Sequence, residues 1–180
     1  MQAAAELEAW RCPDVHQESL RHEFVEHARA NQEPASRHCR PDHLTASALV
    51  LSTDGARVLL GLHGKVGRWL QFGGHIEEVD ATLADAALRE GREESGIQDL
   101  KLHVPEPVQL GRHNAPCASD ARHHLDVQFL ALAAADAVPA VSEESIDIRW
   151  FAVDQLPSDT DDAVRRLVTA SRRRMGLPDK

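Results

Sequence analysis

Three glutamates in the middle of the chain, Glu90, Glu93 and Glu94, have the spacing that brings carboxylates together on a helix. At about 100° of rotation per residue, they share one sector of about 100° on the helical surface. Like charges this close repel one another, so such a group is either fully solvated or neutralised by a cation. Ligand sets made only of oxygen favour hard cations, so the spacing predicts a site for Mg²⁺, Mn²⁺ or Ca²⁺.

The segment around these glutamates is strongly acidic. Between His75 and Asp99, eight acids face two arginines, so this stretch carries −6 of the total charge of −9. One of the arginines, Arg89, is four residues from both Asp85 and Glu93, a spacing that allows ion pairs along a helix. We expect Arg89 to hold the carboxylates in place without occupying the metal site.

The segment from Gly74 to Ile97, GHIEEVDATLADAALREGREESGI, resembles the Nudix box, G-x5-E-x7-R-E-U-x-E-E-x-G-U, where U is a bulky aliphatic residue. The residues that match the pattern are Gly74, Arg89-Glu90, Glu93-Glu94, Gly96 and Ile97. There are three departures from it. Asp80 stands in place of Glu, eight residues rather than seven separate it from Arg89, and Gly91 replaces the aliphatic residue. The extra residue precedes the helix, so the register of the three glutamates is intact.

The resemblance implies an α+β fold, with an α/β/α sandwich around a mixed β-sheet over residues 43–180. Residues 1–42 are then an N-terminal helical extension and linker. It also implies hydrolysis of the pyrophosphate bond of a nucleoside diphosphate linked to another moiety, with Mg²⁺ or Mn²⁺ as cofactor. By position, the metal ligands are Glu90, Glu93 and Glu94, with the Gly74 carbonyl as a backbone ligand.

The general base stays open at this point, because Nudix members use either a glutamate of the box or one from a loop before a late strand. We rank Glu90 and Glu94 ahead of the two candidates in that loop, Glu143 and Glu144. The predicted catalytic set is therefore Glu90, Glu93 and Glu94 with Arg89.

Residues of the loop before the Gly-Gly turn are candidates for binding substrate. Lys65 and Arg68 could contact phosphates, although solvated loop cations are an equally good interpretation. Phe72 could stack on a base, whereas Trp69 is expected in the core. Whether the histidines at 113, 123 and 124, on or near a Pro- and His-rich loop, contact substrate stays open.

Cysteine and histidine spacing gives little support to a zinc site. The pairs Cys12-x3-His16 and Cys39-x3-His43, with His38 nearby, lie on separate predicted elements and lack a CxxC. The three cysteines, Cys12, Cys39 and Cys117, are too few for a disulfide framework. No signal peptide is recognisable either, so we expect reduced thiols and a cytoplasmic location.

The predicted elements alternate between helices and strands. A helical stretch from Gln2 to Asn31 is broken at Pro13, a second helix runs from 81 to 95 before Gly96, and Ser158 or Asp159 caps a last helix. The predicted strands are 44–51, 57–62, 69–72, 100–104, 124–132 and 146–150. The longest apolar run, 129–135, is too short to span a membrane.

The sequence argues against several classes of function and ranks another behind hydrolysis. The net charge of −9 argues against general nucleic-acid binding. An isopentenyl diphosphate isomerase is set aside because no cysteine lies beside the Gly-Gly-His turn. A non-catalytic Nudix module that binds a nucleotide or a protein as a regulator is the main alternative, although it has no need of three adjacent carboxylates.

The partner expected is a small nucleotide of unidentified type. Packing of the N-terminal helix on its own domain or in a homodimer is left open.

Overall fold

A computed structural model describes residues 2–36, 38–114, 122–142 and 145–179. These residues form four helices: α1 Ala3–Ala9, α2 Val15–Ala30, α3 Leu83–Ser95 and α4 Asp162–Arg174. They also form eight strands: β1 Asp42–Ser52, β2 Arg57–His63, β3 Trp69–Leu70, β4 Phe72–His75, β5 Lys101–Leu102, β6 Gln109–Asn114, β7 His123–Ala133 and β8 Ser145–Ala152. None of the described helices is long and apolar enough to cross a membrane.

The strands form one mixed sheet, as the resemblance implies. Its main path is β3-β2-β1-β7-β5, while β4 pairs with β1, β6 with β7 and β8 with β2. β1 and β7 run parallel from the pair Asp42–His123 to the pair Ser52–Ala133. The other pairings are antiparallel. The long β1–β7 pair fixes the register of the centre of the sheet.

The two faces of the sheet are covered by different helices. Successive residues of a strand point to opposite faces, so Leu44 and Ala46 lie on one side of β1 and Leu49 and Leu51 on the other. The first pair belongs to a hydrophobic cluster that includes residues of α1, α2 and α3. The second pair packs with α4. The predicted α/β/α sandwich is therefore confirmed.

Helix α3 has clear start and stop signals. Thr82 and Asp85 form a capping box, and Gly96 ends the helix with a left-handed φ of 72°. Gly91 faces β1, where an added Cβ would lie 3.3 Å from the Cβ of Ala48. A glycine here lets the helix lie close to the sheet, so the third departure from the box pattern serves packing.

The N-terminal helices pack on the protein's own sheet. Leu7 and Phe24 are fully buried in the same cluster as Leu44. The Gln17 side chain donates to the carbonyl of Leu110 at 3.2 Å and accepts from its N–H at 2.6 Å. This buried pair of hydrogen bonds fixes α2 along the edge strand β6.

Three expectations are corrected. The region after residue 104 was expected to be a loop, but it contains β6. The sequence pattern does not reveal this strand, because pairing with β7 keeps the β6 backbone extended. The strand expected at 69–72 is two short strands, β3 and β4. The N-cap of α4 is Asp161, whose carboxylate accepts from the N–H of Ala163, rather than Ser158 or Asp159.

Candidate functional site

Helix α3 carries the three predicted glutamates along β4. Glu94 accepts a hydrogen bond from the backbone N–H of Gly73 at 3.1 Å. The Glu90 side chain is 13% exposed and that of Glu93 is 60% exposed. Glu90 and Glu94 therefore lie against the strand, and Glu93 extends toward solvent.

Gly74 lies against the Glu90 carboxylate. A Cβ added at residue 74 would be 2.8 Å from Oε1 and 2.9 Å from Oε2 of Glu90. Any larger residue would occupy the space next to that carboxylate. The glycine thus leaves the β4 backbone uncovered beside the Glu90 carboxylate.

Arg89 connects the parts of the site. Its guanidinium makes two bonds to Asp80, Nε to Oδ1 at 3.1 Å and Nη2 to Oδ2 at 2.9 Å. It also reaches Glu90 at 3.1 Å, Glu93 at 3.0 Å and the carbonyl of His75 at 2.9 Å. The hydrogen bond to Asp80, with the charge of Glu90, raises the pKa of Arg89 above its usual value.

The ion pair between Arg89 and Glu93 confirms one expected pairing, while Asp85 is engaged in the cap of α3 instead of pairing with Arg89. Asp80 is 5% exposed and accepts from the N–H of Glu77 at 2.8 Å as well. Asp80 is one methylene shorter than Glu, and the connection to α3 is one residue longer. The bidentate bond to Arg89 forms nevertheless, so the first two departures from the box leave this anchor intact.

The three glutamates do not form one tight cluster. Within the residues described, the one group of three or more metal-ligating side chains with donor atoms all within 4.8 Å consists of His43, His75 and His124. Nη1 of Arg89 lies between the carboxylates of Glu90 and Glu93 and is their cation in this structure.

The predicted substrate contacts lie in different surroundings. Lys65 and Arg68 are exposed in the connection between β2 and β3, and Arg68 pairs with Asp161 at 3.3 Å. Phe72 is 1% exposed and belongs to the core, so it offers almost no surface for stacking on a base. Trp69 is buried and packs edge-on against Phe151, as expected for a core residue.

In the part of the chain that the structure describes, neither Cys12 with His16 nor Cys39 with His43 belongs to a group of metal-ligating side chains. Cys39 Sγ lies 3.9 Å from Nε2 of His27, and Cys39 and Cys12 are free thiols. Burial, with a hydrogen bond to Glu18, raises the pKa of Cys12 to about 11. The remaining predicted residues Glu143, Glu144 and Cys117 lie outside the described residues.

A polar strip on the opposite face of the sheet was missed by sequence reasoning. Asp126 is 3% exposed and accepts from the hydroxyls of Ser47 at 2.7 Å and Thr45 at 3.2 Å. It also accepts from the amides of Gln128 at 2.9 Å and Gln71 at 3.4 Å. Alternating polar residues at 43, 45 and 47 and at 124, 126 and 128 were the available signal.

The histidines of this strip are in strands, not in a loop. His43 and His124 are directly paired residues of β1 and β7, and His113 of β6 pairs with His124. His75 is opposite Thr45 on β4. Burial, with the nearby imidazoles of His113, His43 and His75, lowers the pKa of His124 to about 3.

A mixed sheet between helices, with a carboxylate-bearing helix anchored to one strand by an arginine, is the architecture of a Nudix hydrolase. The NUDIX domain family model matches residues 41–171, and the chain belongs to this family. Membership suggests pyrophosphate hydrolysis, and Nudix enzymes generally use divalent metals such as Mg²⁺ or Mn²⁺.

Solved structures show the same fold. A NUDIX-family hydrolase from Clostridium perfringens is 22% identical, with a TM-score of 0.62 over 74% of this chain and 97% of that one. An Ap4A hydrolase from C. elegans is 16% identical, with a TM-score of 0.62 over 74% and 97%. The NUDIX domain of Shewanella oneidensis NrtR, solved with ADP ribose, is 22% identical, with a TM-score of 0.56 over 81% and 95%. At these identities the likeness concerns the fold.

Proposed function

We propose that this protein hydrolyses the pyrophosphate bond of a nucleoside diphosphate linked to another moiety. The observation that carries the proposal is the placement of Glu90 and Glu94 against the backbone of Gly74 and Gly73, with Arg89 behind them. This arrangement gives a group of carboxylate oxygens beside an uncovered strand, which fits a phosphoanhydride only when a cation balances the charge.

The chemistry of the donors fits Mg²⁺ or Mn²⁺, because all of them are oxygens, and the cation would take the place of Nη1 of Arg89 between Glu90 and Glu93. Glu90, Glu93 and Glu94 would hold the cation, with the Gly74 carbonyl as a further ligand in the space that a Cβ at residue 74 would fill. When bound, the cation lowers the pKa of a coordinated water and offsets charge on the phosphate oxygens.

The protein's own residues have separate roles. Glu94, oriented by the N–H of Gly73, or Glu90 accepts the proton of the attacking water. Arg89 is a positioning residue, since it holds Glu90 and Glu93 and is itself fixed by Asp80. Lys65 and Arg68 are exposed and would contact substrate phosphates, Arg68 by exchanging its ion pair with Asp161 for the substrate.

The test is a panel of nucleoside diphosphate derivatives incubated with Mg²⁺ and then with phosphatase, with released phosphate as the readout. We expect Glu94→Gln to lower kcat by at least about 100-fold, the contribution of a general base. Asp99→Asn removes an exposed charge from the same acidic segment and is the matched control, with unchanged kcat. Near-normal turnover of Glu94→Gln at saturating Mg²⁺ would exclude Glu94 as the base.

A non-catalytic nucleotide-binding module is the second candidate. The observation in its favour is that the Shewanella oneidensis domain of similar fold was solved with ADP ribose. Calorimetry separates the two. Binding of ADP ribose with Mg²⁺ that leaves the nucleotide intact over hours, with no substrate of the panel cleaved, would establish the module and reject the hydrolase.

A further inference from the structure

The three-histidine cluster, defined as His43, His75 and His124, lies on the sheet face opposite the glutamates. Each imidazole offers one nitrogen, and these nitrogens all lie within 4.8 Å of one another. Nε2 of His43 and Nε2 of His75 are 3.2 Å apart. Two nitrogens bound at about 2.0 Å to one tetrahedral zinc ion are separated by about 3.3 Å, so this spacing is that of two ligands of a single ion.

The backbone fixes the three side chains independently. They come from three strands, and the parallel register that pairs His43 with His124 sets them side by side. His75 follows from the antiparallel register that places it opposite Thr45, two residues from His43 on the same face. Ligands held on paired strands are already arranged before an ion binds, which limits the entropy lost on binding.

The environment also suits a cation. His43 is fully buried, while His75 and His124 are partly exposed, so an ion can enter from their side. The buried carboxylate of Asp126 lies on the same face, two residues beyond His124. His113 packs edge-on against His124 at 5.3 Å between ring centroids and lies outside the three-histidine cluster.

We propose that the three-histidine cluster binds a divalent transition-metal ion of the zinc type, at a site separate from the glutamates. Imidazole nitrogen favours zinc and its neighbours in the first transition row, whereas the carboxylate group on the other face favours magnesium or manganese. Three protein ligands leave a fourth position for water or another small ligand. Because His75 directly follows Gly74, the ion would fix β4 from the side opposite Glu90.

Cobalt binding to the metal-free protein is the test, because cobalt reports its own coordination by visible absorption. We expect one equivalent of Co²⁺ per chain, with the d–d bands of a four-coordinate ion, displaced by Zn²⁺ but not by excess Mg²⁺. His75→Gln and His124→Gln should weaken binding by at least about 100-fold, since even the loss of an outer-shell partner costs 10–100-fold. These two variants avoid altering His43, whose complete burial endangers folding.

Matched controls make the result specific. His113→Gln and His123→Gln remove neighbouring imidazoles and should keep the cobalt spectrum. Glu90→Gln combined with Glu94→Gln should keep it too, although this variant removes the proposed hydrolytic residues. Absence of stoichiometric cobalt and zinc binding in the unaltered protein would overturn the proposal. A spectrum that survives in His75→Gln and His124→Gln would do the same. Neither outcome depends on whether the protein hydrolyses nucleotides.

Discussion

Polar side chains gather on both sides of strand β4, but the two groups differ in chemistry. On the side of Gly74, several carboxylates collect around Arg89, so unlike charges balance one another. On the side of His75, three imidazoles gather, and their ligating nitrogens all lie within 4.8 Å of one another. A cation competes with Arg89 for the carboxylates of Glu90 and Glu93 on the first side, whereas on the second side its proposed ligands are imidazole nitrogens. We therefore expect exchangeable binding of Mg²⁺ beside the glutamates and tighter binding of a zinc-type ion beside the histidines.

The largest expected effect concerns the counter-ion on the glutamate side. Arg89→Met should lower the free energy of unfolding by about 3–5 kcal/mol, because it leaves the buried carboxylate of Asp80 without its partner. Urea unfolding monitored by circular dichroism measures this. Arg173→Met, which breaks an exposed ion pair with Asp179, is the control and should leave the free energy of unfolding nearly unchanged. Equal effects of the two substitutions would show that the Arg89 network contributes no more than a surface pair.

Alanine substitutions at two neighbouring glycines of β4 should affect stability and activity differently. A Cβ at Gly73 would meet the Cβ of Ser47 and lie 2.6 Å from its Cα, so Gly73→Ala must push β4 away from β1. We expect a loss of about 3 kcal/mol in unfolding free energy. The atoms nearest to a Cβ at Gly74 belong to the flexible end of Glu90, so Gly74→Ala should cost less stability and lower kcat about tenfold by displacing that carboxylate. The reverse order in either measurement would contradict the geometry.

A substitution at Asp126 tests how much the polar strip on the histidine side contributes to stability. In Asp126→Asn an NH2 group replaces one carboxylate oxygen. It then faces either the amide donor of Gln128 at the Oδ2 position or the hydroxyl donor of Thr45 at the Oδ1 position. The expected cost is about 2 kcal/mol of unfolding free energy, that of one buried group left unsatisfied. Urea unfolding of Asp126→Asn beside Asp99→Asn, an exposed carboxylate, makes the measurement. A cost as small as that of Asp99→Asn would mean that the strip rearranges freely.

The smallest effect concerns Glu6, which accepts from the N–H of Leu83 at the start of α3 at 3.0 Å. Burial raises the pKa of Glu6 above its ordinary 4.5, so its contribution to stability is present below that value and declines as pH rises through the raised pKa. Glu6→Gln keeps an acceptor without the charge. At pH 7 we expect a change within about 0.5 kcal/mol and a shallower decline of stability between acidic and neutral pH. Urea unfolding at both pH values checks it, and a steeper decline would refute the assignment.

On the glutamate side, local patterns predicted helix α3, its end and one of its ion pairs, while the metal site there stays a prediction. The spacing of Glu90, Glu93 and Glu94, the pair of Arg89 with Glu93 and the stop at Gly96 all lie within a few residues of one another, where helical geometry alone relates them. The histidine side depends on contacts between positions 32 and 81 residues apart, which only the register of β1 with β4 and β7 brings together. Strand β6 was missed for the same reason, since its pairing with β7 and not its own pattern keeps it extended.

Leu7 and Phe24 are fully buried, yet both precede residue 41, where the family match begins. The packed core therefore extends beyond the segment that the family model matches. A truncated variant that begins at residue 41 would expose the hydrophobic surface of the sheet that α1 and α2 cover. We expect this variant to be largely insoluble on expression. Anyone producing this enzyme fold for crystallisation or assay should retain the first forty residues, even though they contribute none of the proposed ligands.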